Sequence, residues 1–410
     1  MVDRAACSAA LAANIDWFRR SGVMDPPDGS WGVAERIVLT DGNSAAERIT
    51  RSFPAWTPHE DHIVVEQRRS DCNFQTAWML LLAAEAGLPG TEESARKILE
   101  FLYFRSGLLN RSNEHFPAGV WNWSHIRWEG VFWLDDDGWA ALLQLVLALA
   151  RPDWDRRFQL RKWSEVLLHE LDRVLKRFRD GRGGYLTVDP LKMFNGDPGQ
   201  PHWGVPTVLA LLFGAAVTGE NAWNESAEDY LAYLLRQGDS FNNSESAYGL
   251  ILLACAAALR PERDDWRQGA FACGDRLLRN MAANHGIPAA QHGEAPQGEE
   301  LLDTIYTANW LLLGLQSLAA LPDAPERFQE CYETLLKLFL AIQDDSPSPA
   351  LRGCWRGMYD CKHRRWGGGD HYEGGANSIY TGWTNAPIAA VLAMELKQTS
   401  LAGKLAEPAR

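Results

Sequence analysis

"WLDDDGWAALLQLVLALA" (133–150) and "LRKWSEVLLHELDRVLKRF" (160–178) follow one another and read as helices of opposite kinds. Beyond its aspartates the first is apolar almost all round. A helix apolar on every side is buried on every side. The second sets Trp163, Val166, Leu167, Leu171, Val174 and Leu175 on one stripe among charged residues, so only one face meets a core. The two kinds alternate along the chain, which is the mark of a repeat architecture. Apolar segments occupy 73–88, 137–150, 204–219, 244–259, 303–321 and 378–396. Amphipathic segments lie near 4–20, 91–104, 160–178, 222–236, 263–284 and 323–343, one ahead of each apolar segment. Six inner and six outer helices predict an all-α fold, an (α/α)6 toroid, with residues 1–410 as a single catalytic domain. A two-domain helical array is the alternative. Few residues read as strand, "GVFWL" (130–134) being one short candidate.

The connections are unequal. Long ones, roughly 105–134, 179–203, 285–302 and 345–377, precede inner helices, whereas an inner helix reaches the next outer one through short turns such as "GLPGT" (87–91). Long loops in a compact fold are usually functional. All should gather on one face, around the inner N-termini, and a site is expected there.

Composition narrows the function. Hydrophobic residues make up 46% of the 410, and the net charge of −13 argues against nucleic acid or an anionic membrane as partner. Seven cysteines without a CxxC pair argue against structural zinc and fit reduced thiols in a cytoplasm. No apolar stretch reads as long enough to cross a membrane. Eighteen tryptophans are an excess, and flat rings with one polar handle suit surfaces that stack on sugars.

Those rings recur where the inner helices begin. Asn73, Gln75, Trp139, Trp203, Tyr306, Asn309, Trp310, Tyr380 and Trp383 all fall at or just inside inner N-termini. Aromatics and amides around a concave mouth fit a carbohydrate, the rings stacking and the amides binding hydroxyls. The aspartates of 135–137 sit on the same rim. One of them is expected to cap the helix. A neighbour, Asp136 or Asp137, is the candidate acid, because like charges and indoles raise a carboxyl's pKa toward neutrality. Adjacent carboxylates rarely meet on one ion, and no EF-hand spacing follows, so no metal or other cofactor is expected.

The last long loop, "LRGCWRGMYDCKHRRWGGGDHYEGG" (351–375), concentrates positive charge. Arg352 and Arg356, flanking Trp355, are candidates to grip a substrate carboxylate. Asp370 and Glu373 are candidate second acids. The glycines do not form a phosphate-binding P-loop. Of ten histidines, His115, His125, His202, His292 and His371 fall in loops ahead of inner helices. His202 is a catalytic candidate and His292 a binding one. The segment 284–303, rich in Gly and Pro, reads as a lid.

Six inner helices with a site at their N-terminal mouth, "LDDDGW" (134–139) and Trp-rich loops resemble the (α/α)6-barrel glycosidases, most of all the unsaturated glucuronyl and rhamnogalacturonyl hydrolases and related glucuronidases. The resemblance implies a glycoside hydrolase for an acidic, uronic-acid-containing oligosaccharide, with Asp136 or Asp137 in the site. It also implies a second acid near the third inner helix, where "GQPHWGVPTV" (199–208) offers His202 instead. Two other readings stay open: an epimerase, isomerase or lyase using His or Tyr bases on the same fold, and a carbohydrate-binding protein without catalysis. A terpenoid cyclase is disfavoured, because the aspartates do not form DxDD and the mouth is polar.

Overall fold

The computed structural model describes residues 2–40, 44–126, 130–281, 287, 301–367 and 375–409. Helix α1 (Arg4–Arg20) leads into β1 (Arg36–Leu39), α2 (Ser44–Ser52), β2 (Trp56–Pro58) and β3 (His62–Val65). Helices then come in pairs. They are α3 (Ser70–Glu85) with α4 (Thr91–Phe104), and, after β4 (Phe132–Trp133), α5 (Leu134–Ala150) with the short α6 (Pro152–Phe158) and α7 (Leu160–Arg177). Past β5 (Phe194–Asn195) come α8 (Pro201–Thr218) with α9 (Asn221–Gln237), and α10 (Asn243–Leu259) with α11 (Asp264–Asn280). Past β6 (Leu301–Asp303) come α12 (Ala308–Ala319) and α13 (Glu326–Ile342). Strands β7 (Met358–Asp360), β8 (Arg365–Trp366) and β9 (Ser378–Tyr380) precede α14 (Ala386–Leu396) and α15 (Leu401–Ala409).

Helices α3, α5, α8, α10, α12 and α14 each pack on the next, and α14 packs back on α3. The inner ring is closed, and the fold is the expected (α/α)6 toroid. Each outer helix leans on the inner helix before it: α4 on α3, α7 on α5, α9 on α8, α11 on α10, α13 on α12. Helix α1 leans on α14 and so joins the two ends of the chain. Small residues set the ring's tightness. A Cβ on Gly138 of α5 would collide with the backbone of Thr207 in α8. The Thr207 hydroxyl in turn donates to the Leu134 carbonyl at 2.7 Å.

Several boundaries differ from the sequence reading. The segment 21–69 was not expected to hold strands. Its β2, β3 and β1 pair antiparallel with one another and with β9 in a four-stranded sheet. Val and Ile alternate too briefly there to stand out, and the pairing partner β9 lies over 300 residues away in sequence. Residues 378–385 were expected to be helical. Pairing with β1 holds 378–380 extended, and one π-helical turn (Thr381–Asn385) precedes α14, whose first turn contains Pro387. Proline is well placed in a first turn, where its missing N–H is not needed. Helix α12 likewise begins at Ala308 rather than 303. Helix α8, at 18 residues, is by length and hydropathy alone able to cross a membrane, contrary to expectation. It is apolar because protein surrounds it as an inner helix. Helix α15 was not foreseen. It packs on α8, α10 and α12, buries Leu401, Ala402, Leu405 and Ala406, and ties to α3 through Lys404 Nζ and Glu85 Oε2 at 2.7 Å.

Candidate active site at the mouth of the barrel

Asp135, Asp136 and Asp137 lie inside the first turn of α5. Trp133 stands at the N-cap and makes no side-chain cap, so the expected aspartate cap is absent. Successive helical residues differ by about 100° in direction, so the three carboxylates part company. Asp136 reaches sideways to α3, where Arg69 Nη2 binds its Oδ1 at 2.6 Å. Asp137 accepts the backbone N–H of Trp121 at 2.8 Å and thereby anchors the loop between α4 and α5. Asp135 lies four residues before Trp139, on the same helical face. Trp139 stacks on Trp310 of α12 with ring centroids 5.5 Å apart and planes 22° off parallel. Helices α5 and α12 stand opposite in the ring, so this pair closes the lumen. Asp135 sits one turn above that floor.

Beside Asp135 several buried carboxyl groups crowd around one arginine. Arg69, just ahead of α3, holds Glu35 Oε1 at 3.0 Å, Asp71 at 3.1 and 3.2 Å, and Asp136 at 2.6 Å. One guanidinium thus serves three buried carboxylates. The Trp383 indole N–H donates to Asp71 at 2.6 Å, and the Arg69 guanidinium lies over the rings of Trp383 (5.4 Å) and Trp123 (5.9 Å). Burial pushes the Asp135 carboxyl up to about 7, Arg69 opposing the rise and Asp71 adding to it. Its Oδ1 is buried without a hydrogen-bond partner among the described residues. Burial raises Asp137 as well.

The other wall is built by α8 and α10. Glu245 Oε1 lies 2.5 Å from His202 Nδ1, and Glu245 Oε2 accepts the His202 backbone N–H at 2.8 Å. Trp203 is flanked by His202 at 4.4 Å and by Trp133 at 5.0 Å. Trp133 continues to Trp123 at 6.2 Å, and Tyr248 lies 5.0 Å from Trp310. The aromatic rim is therefore one connected wall.

Of the residues singled out from sequence, Asp136, Trp139, His202, Trp203, Tyr306, Trp310 and Trp383 meet at this mouth, Tyr306 lying 6.0 Å from Trp383. Tyr380 is buried in β9 with its ring 4.5 Å from the Arg36 guanidinium. Asn73 spends its amide on the Val33 backbone, accepting the N–H at 2.8 Å and donating to the carbonyl at 3.1 Å. Asn309 donates to the Ile305 and Trp383 carbonyls. Both are fasteners of loop backbone. Gln75 is buried with neither amide atom bonded among the described residues.

The two loop arginines do not form the expected clamp. Arg356 donates to the Ala376 carbonyl at 2.7 Å and to Asn377 at 3.2 Å, and so fastens its own loop. Arg352 is exposed, its carbonyl taken by Arg20 of α1 at 3.1 Å. His292, Asp370, Glu373 and His371 lie outside the described residues, as does most of the lid segment 284–303. Sequence reasoning passed over Arg69, Glu35 and Glu245 as working residues, and preferred Asp136 and Asp137 to Asp135. The i, i+4 relation of Asp135 to Trp139 was the available signal. Among the described residues no three His, Cys, Asp or Glu side chains come together as a metal site.

No protein-family model matches the chain, and no curated protein matches it. Solved structures do. The unsaturated glucuronyl hydrolase of Bacillus sp. GL1 is 14% identical, with a TM-score of 0.54 over 86% of this chain and 93% of that one. The α-1,6-mannanase of Salegentibacter sp. is 11% identical, with a TM-score of 0.58 over 96% and 99%. The cellobiose 2-epimerase of Spirochaeta thermophila is 13% identical, with a TM-score of 0.63 over 96% and 96%. These neighbours are carbohydrate-active enzymes, and the chain shares their (α/α)6-barrel fold.

Proposed function

We propose that the chain is a glycoside hydrolase for an oligosaccharide, and that Asp135 is its proton-donating acid. The observation that carries this reading is the Asp135 carboxyl, buried above the Trp139–Trp310 floor and pushed up to about 7. An acid that keeps its proton near neutrality is what protonation of a glycosidic oxygen needs. Burial holds that proton, and the negative charge of Asp71 adds to it. The mannanase has also been solved as an inactive variant altered at two adjacent aspartates, which is in keeping with an acidic pair at such a mouth. The narrower form of the proposal, a uronic acid in the substrate, is supported by the likeness to the glucuronyl hydrolases, not by Arg352 or Arg356. We place the whole of 1–410 in one catalytic unit.

The test is a panel of uronide-containing and neutral oligosaccharides followed by mass spectrometry. Hydrolysis adds one water across a bond. Cleavage of neutral substrates alone would remove the uronic acid from the proposal, and no cleavage of any would remove the hydrolase. A second reading, sugar epimerisation, is favoured by the His202–Glu245 pair and by the epimerase among the neighbours. It requires solvent deuterium to appear at a ring carbon of recovered, uncleaved sugar.

A further inference from the structure

His202 is held by a built arrangement. Glu245 opens α10, His202 opens α8, and the two helices are neighbours in the inner ring. Glu245 grips His202 twice, at Nδ1 (2.5 Å) and at the backbone N–H (2.8 Å). The second contact orients the carboxylate for the first. Both side chains are buried, at 5% and 3% exposure. An ionised carboxylate only accepts hydrogen bonds, so in the neutral ring the proton belongs on Nδ1 and Nε2 is the basic atom. Trp203 at 4.4 Å and Tyr248 at 6.3 Å confine the ring. Among the described residues, ionisable groups acting on His202 and its neighbours include Asp135 from α5, Asp197 from the loop ahead of α8, and Glu245 and Tyr248 from α10. Asp303, at the end of β6, acts on Tyr248.

We propose that Glu245 is a positioning residue that fixes His202 in its Nδ1-protonated form, making His202 Nε2 the second proton-exchanging atom of the mouth. This rests on the hydrolase reading of the mouth. In the reaction a water oxygen bonds to the anomeric carbon as the glycosidic C–O bond breaks. Asp135 gives its proton to the leaving oxygen, and Nε2 takes the proton that the water loses. Passing that proton from Nε2 to Asp135 restores both groups, so the balance is one water consumed per bond.

The test is two-bond ¹H–¹⁵N NMR of the imidazoles of the intact chain, with the His202 signal assigned by its loss in His202→Gln. In the wild type the neutral ring should carry its proton on Nδ1. In Glu245→Gln the Nδ1-protonated preference of His202 should fall, the result expected when the carboxylate that accepts from Nδ1 is removed. Glu245→Asp should restore part of it. Turnover in Glu245→Gln should fall about tenfold or more with KM nearly unchanged. A wild-type ring protonated on Nε2, or a tautomer preference unmoved in a folded Glu245→Gln protein, would overturn the proposal. The wild-type spectrum decides even if that variant does not fold. A His202 signal that responds to Glu245→Gln while turnover does not would remove Nε2 from the proton transfer, whereas a wild type that cleaves no substrate would sink the hydrolase reading and leave the tautomer result standing, so the two failures are distinct.

Discussion

At the residue scale, burying Asp135 costs the fold something. Its carboxyl is held near 7, above the 3.8 of a free aspartate. Below about pH 4 folded and unfolded chains both keep the proton, and the group is neutral in both. As pH rises toward 7 the unfolded chain ionises first, so stability falls across that window and levels off above it. The penalty is on the order of a few kcal/mol. Asp135→Asn, which keeps the shape and removes the charge, should therefore be more stable than wild type at pH 8 and about equal at pH 4, as read by urea denaturation at both. The same substitution should reduce hydrolysis by at least about a hundredfold. Wild-type turnover should decline as pH rises through about 7, where the acid loses its proton. A variant that is less stable at pH 8, or that retains turnover, would remove Asp135 from this role. Burial raises Asp136 and Asp137 too, so direction is what separates the proposed acid from a partner of Arg69 and a loop anchor.

At the scale of elements, α5 positions the mouth through its seam with α8. Gly138 lies one turn past Asp135 and has no room for a methyl group against Thr207. Gly138→Ala must push the two helices apart. It should cost about 1–3 kcal/mol in denaturation experiments, and activity should fall because Asp135 and His202 sit on the two helices being separated. A Gly138→Ala protein of wild-type stability would show that the seam has slack. The inner helices were plain in the sequence, because a run such as 138–150 is apolar at every angle. The first turns were not. Helix α5 takes its three aspartates inside, whereas α14 gives up its first residues to β9 and a π turn. Such starts are decided by strand pairing with 36–38, which no local pattern contains.

For the whole molecule, the candidate site and the closing helix occupy opposite ends of the barrel. The loops and carboxylates lie at the N-termini of the inner helices, while α15 covers the other end. Leu405 is fully buried there. Leu405→Ala should cost about 2–5 kcal/mol and leave KM for the sugar unchanged, measured by thermal unfolding alongside steady-state kinetics. A shift in KM without loss of stability would mean that the base and mouth are coupled.

Sequence alone determined the ring. Twelve alternating helices of two burial types admit few closed arrangements, and the long loops mark the end that carries the mouth. It also located the aromatic rim, since rings at the starts of apolar helices are visible one by one. Only the tertiary structure decided which polar residues share charge. Arg69 meets Glu35 from the residue before β1 and Asp136 from the next inner helix, and His202 meets Glu245 from the neighbouring inner helix. The reason is physical. Burial of an apolar face is a property of a segment and follows its own periodicity, but the ionisation of a buried carboxyl depends on charges a few ångströms away. In this chain the pairs that join different elements lie 34 to 67 positions apart.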